Sequence, residues 1–387
     1  MKSSCGRSFL NKSLAWFVLI IAIQACSYDL PALPGTATAR VPGPTNVFPN
    51  TEYPSQVGLA DIPMQVGYGV RGPFYEIYFT DPFNKAAWKE EGGPDVPLAA
   101  AIDQARISVD VAAYSFSLYS IRAALIDAHQ RGVEVRMVME SDNMFDSAPQ
   151  ALKDAGIPII GDRREGLMHD KFVVIDRSEV WMGSMNFTTS GTYEDNNNLV
   201  RIRSTKVAED YTVEFEEMFK DDFFGPDAIA ATPNPRVTVD GVPLEVYFSP
   251  DDHVAPRIVE LLRAAQQSIY FLAYSFTAND FGEILRQKAR DGLIVSGVME
   301  GSQVKANQGT EFTPLTAAGL PVYLDGNVGQ MHHKVFIIDE KIVITGSYNF
   351  SASAERINDE NVVIFFDPQI AAQYMAEFHR VEAEAQK

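Results

Sequence analysis

The segment GLMHDKFVVIDRSEVWMGSMNF at 166–187 recurs without a gap as GQMHHKVFIIDEKIVITGSYNF at 329–350. More of the chain repeats around it. YEIYFT at 75–80 returns as LEVYFS at 244–249, and ISVDVAAYSF at 107–116 returns as QSIYFLAYSF at 267–276. Tyr211 and Phe215 match Tyr374 and Phe378 at the same offset. A chain that repeats at this length folds as two copies of one unit. The copies run over 68–225 and 243–387, and 226–242 is read as the linker.

Each copy alternates strand and helix patterns. In the first, EIYFT and SVDVAAYS are β-rich, and IRAALIDAHQRG (121–132) has helical spacing and a Gly stop. VEVRMVME (133–140) reads as a buried strand, IPIIG (157–161) as a short one, and VAEDYTVEFEEMF (207–219) as an amphipathic helix. KFVVIDR and VWMGSMN read as a hairpin turning through Arg177-Ser178. The alternation predicts an α/β fold: a mixed sheet in each lobe, helices on both faces, and the lobes related by pseudo-twofold symmetry.

Composition narrows the function. The chain has 387 residues, room for about two domains. Asp and Glu total 51 against 32 Lys and Arg, a net charge of −19. That argues against holding nucleic acid by general phosphate neutralisation, although a small basic pocket stays possible. The cysteines are Cys5 and Cys26, so neither a disulfide nor a Cys-based metal site holds the body together.

The amino terminus reads as an export signal over 1–25. Lys2, Arg7 and Lys12 precede the apolar run Leu14–Ile23, and Ala25 precedes Cys26. An uncleaved anchor is the alternative, but the run is shorter than the about 20 residues of a spanning helix. Ile23-Gln24-Ala25-Cys26 resembles a bacterial lipobox, which would make Cys26 a lipidation site; ordinary cleavage near Ala25 is the other possibility. Residues 26–67 are rich in Pro, Thr, Gly and Asn and read as a tether. The expected location is outside the cell membrane, lipid-anchored to the envelope or secreted.

Both copies carry His-x-Lys, then Asp five residues after the Lys, then Gly-Ser-x-Asn. The first set is His169, Lys171, Asp176, Gly183, Ser184 and Asn186; the second is His332, Lys334, Asp339, Gly346, Ser347 and Asn349. Six fixed positions arise by chance about once in 10⁷–10⁸ starting points. On a strand, residues i and i+2 share a face, so each His lies beside its Lys. An imidazole can attack phosphorus or transfer a proton near neutral pH. A Lys neutralises a non-bridging phosphate oxygen, and Ser and Asn add neutral donors. Packed about a twofold axis, the two His-Lys pairs would face one phosphate.

These paired motifs resemble the HKD motifs of the phospholipase D superfamily, over about 320 residues. The resemblance implies two tandem lobes, one active site between them, a phosphohistidine intermediate, and no cofactor or catalytic metal. It implies His169 as nucleophile and His332 as general acid. Lys171, Lys334, Asn186 and Asn349 map onto phosphate binders, and Ser184 and Ser347, at matching positions, are expected to bind phosphate as well. Asp176 and Asp339 are motif residues for which a catalytic and a structural role are both open. Family members often carry a downstream acid that orients a catalytic His. Glu360, 28 residues after His332, fits that place; its counterpart in the first half is Asn197, where either neighbouring Asp195 substitutes or Asn197 itself orients the His without charge.

The remaining histidines, His129, His253 and His379, read as structural or surface groups, and His333 should point away from His332. The His pattern lacks zinc-finger and HExxH spacing, so no metal is expected. Tyr114/Phe116 and Tyr274/Phe276 end matching strands and read as core, with pocket lining as the alternative. The expected activity is hydrolysis of a glycerophospholipid to phosphatidate and a head-group alcohol at a membrane surface. A nuclease, a phosphatidyltransferase and a non-catalytic phosphate-binding surface protein are the rivals. One chain supplies both motifs, so a monomer suffices.

Overall fold

The computed structural model describes residues 58–387. The export signal, Cys26 and most of the expected tether lie outside the described residues.

The first lobe contains nine strands. They are β1 (Ala60–Ile62), β2 (Tyr68–Arg71), β3 (Tyr75–Phe79), β4 (Ser108–Ala113), β5 (Glu134–Met139), β6 (Ile159–Gly161), β7 (Lys171–Ile175), β8 (Glu179–Gly183) and β9 (Asn198–Arg203). Their order in the sheet is β1-β2-β3-β9-β8-β7-β4-β5-β6. The pairs β4/β5 and β5/β6 are parallel, and the other neighbours are antiparallel.

The second lobe repeats this arrangement. Its strands are β10 (Arg236–Val239), β11 (Val242–Ser249), β12 (Ser268–Ala273), β13 (Ile294–Met299), β14 (Val322–Leu324), β15 (Lys334–Ile338), β16 (Ile342–Gly346) and β17 (Glu360–Phe366). The order β10-β11-β17-β16-β15-β12-β13-β14 is that of the first lobe without its outermost strand. Two mixed sheets flanked by helices are therefore what the duplicated pattern builds.

Two boundaries move. Ala60–Ile62 pairs with β2 and Val66 is fully buried, so the sheet begins inside the segment read as tether. Arg236–Val239 pairs with β11, so the end of the expected linker is an edge strand. Both were hidden by flanking prolines, which mark edges as well as linkers.

β7 and β15 are buried at every position, so they read as continuous apolar runs rather than alternating ones. Helices Thr205–Glu216 and Pro368–Ala385 join the lobes. Tyr211 on the first packs edge-on against Phe248 of the second lobe, and Tyr374 on the other packs edge-on against Phe79 of the first. One apolar core runs through both lobes, and the described residues 58–387 fall in a single compact unit.

The β7–β8 hairpin turns through Asp176 and Arg177, one residue earlier than expected. Both have positive φ (52°), and the Ser178 N–H closes the turn on the Ile175 carbonyl at 3.0 Å. The β15–β16 hairpin does the same through Asp339 and Glu340, with φ of 53° and 52°. Asp tolerates this left-handed backbone better than most residues.

Candidate active site

β7 and β15 begin at Lys171 and Lys334, with each motif histidine two residues before. Neither histidine is held by its own lobe alone. The His169 N–H donates to the Asp359 carbonyl (3.0 Å), and the Asp359 N–H donates to Leu167 (2.9 Å). The His332 N–H donates to the Asn196 carbonyl (2.9 Å), and the Asn196 N–H donates to Gln330 (2.7 Å). These two cross-lobe bridges bring the His-Lys pairs to one cleft.

The side chains cross as well. His169 Nδ1 bonds Glu360 Oε2 at 2.7 Å. His332 Nδ1 bonds Asn197 Oδ1 at 3.0 Å and lies 3.1 Å from the Ser184 carbonyl. Glu360 thus serves the histidine of the other lobe, not His332 as its sequence position suggested. Asn197 likewise serves His332, and Asp195 instead accepts the Gln330 N–H at 2.9 Å. In both histidines Nδ1 is occupied, which leaves Nε2 for chemistry.

Two more expectations change. Ser184 and Ser347 are fully buried, and both bond the orienting side chains rather than facing the cleft. Ser184 Oγ donates to Asn197 Oδ1 (2.8 Å) and accepts the Asn198 N–H (3.1 Å). Ser347 Oγ accepts the Asn361 N–H (3.0 Å), and its hydroxyl stabilises the Glu360 carboxylate. They therefore set the orienters and do not bind phosphate directly. Asp176 and Asp339 lie at the far ends of β7 and β15, five residues or roughly 17 Å from the lysines. Asp176 Oδ1 accepts the N–H groups of Arg106, Ile107 and Ser108 at 3.0, 2.7 and 3.1 Å. Asp339 Oδ1 does the same for Gln266, Gln267 and Ser268 at 3.0, 2.7 and 3.0 Å. Both cap the chain entering the central strand, so of the two roles open to these aspartates the structural one holds and the catalytic one does not.

The motif glycines have a backbone cause. Gly183 (φ 152°) and Gly346 (φ 154°) would drive a Cβ into the carbonyls of Asn198 and Asn361 on the neighbouring strand. The close approach is to β9 and β17, and it keeps the orienters within reach.

Lys171 Nζ donates to the His169 carbonyl (2.5 Å), and Lys334 Nζ donates to the His332 carbonyl (2.8 Å). Each ammonium lies over a tyrosine ring, Tyr114 at 5.1 Å and Tyr274 at 4.5 Å. The same rings pack edge-on against His169 and His332 at 5.0 and 4.5 Å. Phe116 and Phe276 are core, but Tyr114 and Tyr274 belong to the site. Only tertiary packing separates the two kinds, because they share strand ends. Asn186 and Asn349 are half-buried, and among the described residues their side chains have no protein partner.

Burial pushes His169 and His332 well below the usual imidazole range, and Lys171 and Lys334 add to the effect on both. Burial also lowers Lys171 to about 7 and raises Glu360 to about 8. Burial lowers Lys334 well below the usual lysine range too, so the cleft gathers two lysines and two imidazoles around one carboxyl group. It lacks negative charge, and a phosphodiester anion supplies it.

The residues opposite the active face differ between lobes. His333 is buried and bonds Glu377 (2.8 Å) and Asn198 (3.1 Å), away from His332 as expected. Asp170, its counterpart, accepts from Asn361 Nδ2 at 2.6 Å. Neither Asn198 nor Asn361 stood out in the sequence; their repeated position after each orienter was the available signal. Among the described residues no cluster of His, Cys, Asp and Glu is arranged to hold a metal, and no helix is long and apolar enough to cross a membrane.

With this site on the fold, the family follows. A family model described as cardiolipin synthase, PLD-like domain, matches residues 98–219 and 258–382, one stretch per lobe. The chain belongs to that family, within the phospholipase D superfamily. Mouse mitochondrial cardiolipin hydrolase is 31% identical over 128 residues, 33% of this chain and 58% of that protein. A phospholipase D from Rickettsia typhi is 34% identical over 128 residues, 33% of this chain and 62% of that protein. The chain therefore spans about three fifths of these relatives' lengths. The crystal structure of phosphatidylserine synthase from Haemophilus influenzae is 12% identical and superimposes with a TM-score of 0.56, covering 75% of this chain and 83% of that one. That likeness is one of fold. Members of the superfamily act on phosphodiester bonds.

Proposed function

We propose that the protein hydrolyses a glycerophospholipid to phosphatidate and a free head-group alcohol. The observation that carries this reading is the pair of crossed histidines, one backed by a carboxylate and the other by a neutral amide. Glu360 stabilises positive charge on His169, which suits the group that forms a covalent bond to phosphorus. Asn197 only accepts from His332 Nδ1, so the imidazolium is weakly held and gives up its Nε2 proton readily.

His169 Nε2 attacks phosphorus, and the phosphorus–oxygen bond to the head group breaks. The electron pair goes to the leaving oxygen, which takes the proton of His332. Lys171 and Lys334 balance charge on the non-bridging oxygens, and the free amides of Asn186 and Asn349 add donors. Water then attacks the phosphohistidine, its proton passes to His332, and phosphatidate leaves His169 free.

Relatives named phospholipase D and cardiolipin hydrolase support a lipid substrate, as does the net charge of −19. Exposed Phe145 and Leu167, on loops at the active end of the first lobe, suit an acyl surface. A lipid-anchored Cys26 in the envelope would keep the site at such a surface, and one chain provides the complete site.

The test offers phosphatidylglycerol/phosphatidylcholine vesicles and single-stranded DNA in parallel to the full chain, with EDTA present. His169→Ala is the blank. Head-group release without DNA cleavage is expected. DNA cleavage with intact lipid would make the protein a nuclease, and normal activity in His169→Ala would remove the assignment.

A further inference from the structure

The two walls of the cleft are built from equivalent residues but finished differently. Asn143 and Gln303 each stand three residues after the matching glutamates Glu140 and Glu300. In the first lobe Asn143 Nδ2 is spent on the Tyr114 backbone carbonyl at 2.6 Å. Exposed Phe145 follows two residues later. In the second lobe the longer Gln303 reaches the Tyr274 hydroxyl, Nε2 to Oη at 3.1 Å. Its Oε1 accepts from Asn307 Nδ2 (3.1 Å), and Asn307 Nδ2 also reaches Ser275 Oγ (3.0 Å). One wall ends in an aromatic ring and the other in a chain of amides and hydroxyls.

The proposed reaction decides which substrate half meets which wall. In-line displacement puts the leaving oxygen opposite the nucleophile, on the side of the general acid. His332 packs against Tyr274, so the leaving alcohol lies by the second-lobe wall. Resting on the hydrolytic reading above, we propose that Tyr274, Ser275, Gln303 and Asn307 form the leaving-group subsite, and that it takes an uncharged, hydroxyl-bearing alcohol such as a glycerol head group.

Three features disfavour a quaternary ammonium. The Tyr274 face that would hold one already carries Lys334 Nζ. Lys305, on the same helix as Gln303, is exposed and adds positive charge. The nearby carboxylates are committed to backbone N–H groups: Glu300 to Ser302 and Met331, Asp325 to Gly301 and Asn327, and Asp195 to Gln330. What remains suits hydroxyls. Tyr274 Oη accepts from Gln303, so its own proton is free to donate, and the amides offer both donors and acceptors.

The experiment is competition. Phosphatidylglycerol and phosphatidylcholine with matched acyl chains are offered to the full chain in the same detergent micelles, so surface binding and folded fraction cancel from the rate ratio. Wild type should favour phosphatidylglycerol by at least about tenfold. Gln303→Met should lower that preference about tenfold, and Gln303→Glu should move it towards phosphatidylcholine. Equal turnover by wild type, or an unchanged ratio in both variants, overturns the subsite. Hydrolysis of neither lipid overturns the lipid reading together with the subsite, and it is distinct from hydrolysis without preference.

Discussion

Asn197 and Glu360 occupy equivalent places, yet one is neutral and the other acidic. The protein has thereby made its two histidines chemically different. Placing a carboxylate behind His332 by Asn197→Asp should raise the pKa of that imidazole by about one unit or more. The general acid would then stay protonated to higher pH, and the alkaline limb of kcat/KM should move upward. A pH profile checks this, and an unmoved limb would mean that His332 is not the acid. Glu360→Gln keeps a hydrogen-bond acceptor but removes the charge opposite His169. Turnover should fall by about 10²–10⁴-fold, with the protein still folded. In wild type the free cleft needs Lys171 charged, and burial lowers it to about 7. Binding of inorganic phosphate should therefore weaken as pH rises through that region, which calorimetry at pH 6 and pH 8 would measure.

At the scale of the element, the hairpin turn explains why an aspartate belongs in each motif without doing chemistry. Asp176 supports a left-handed turn and collects three N–H groups at the start of β4. Asp176→Ala leaves those donors without their acceptor and should cost about 1–3 kcal/mol of stability. A thermal melt reads the loss. Turnover by the folded fraction should be unchanged, because the turn lies at the far end of the strand. The sequence pattern could not separate this role from catalysis. A fixed spacing from Lys171 says that Asp176 is needed, but not at which end of the strand it works.

The whole molecule is held by a polar seam across its pseudo-twofold axis. Asn361 bonds Asp170 and Tyr211, and Asn198 bonds His333, so each lobe completes the other's interior. The seam is not electrically symmetric. Burial raises the Asp170 carboxyl to about 7, and one of its oxygens has no partner. A raised acid favours the folded state when protonated, so this group costs stability progressively as pH climbs from its unfolded value towards about 7. Asp170→Asn should therefore raise the melting temperature more at pH 8 than at pH 4. A gain that does not depend on pH would show that Asp170 is not charged in the seam.

The duplication made the two lobes, their mixed sheets and the chemical set legible from the chain alone. Repeated residue types at repeated spacing constrain local geometry, and a strand puts His169 beside Lys171 wherever it lies. Partners across the cleft obey no such spacing. His169 and Glu360 are 191 residues apart, and the same sequence permits pairing within a lobe or between lobes. Packing about the axis chose the crossed arrangement. It turned Ser184 and Ser347 towards the orienters, brought Tyr114 and Tyr274 over the lysines, and gave equivalent loops different walls. Those outcomes depend on which surfaces bury one another, and only the folded molecule settles that.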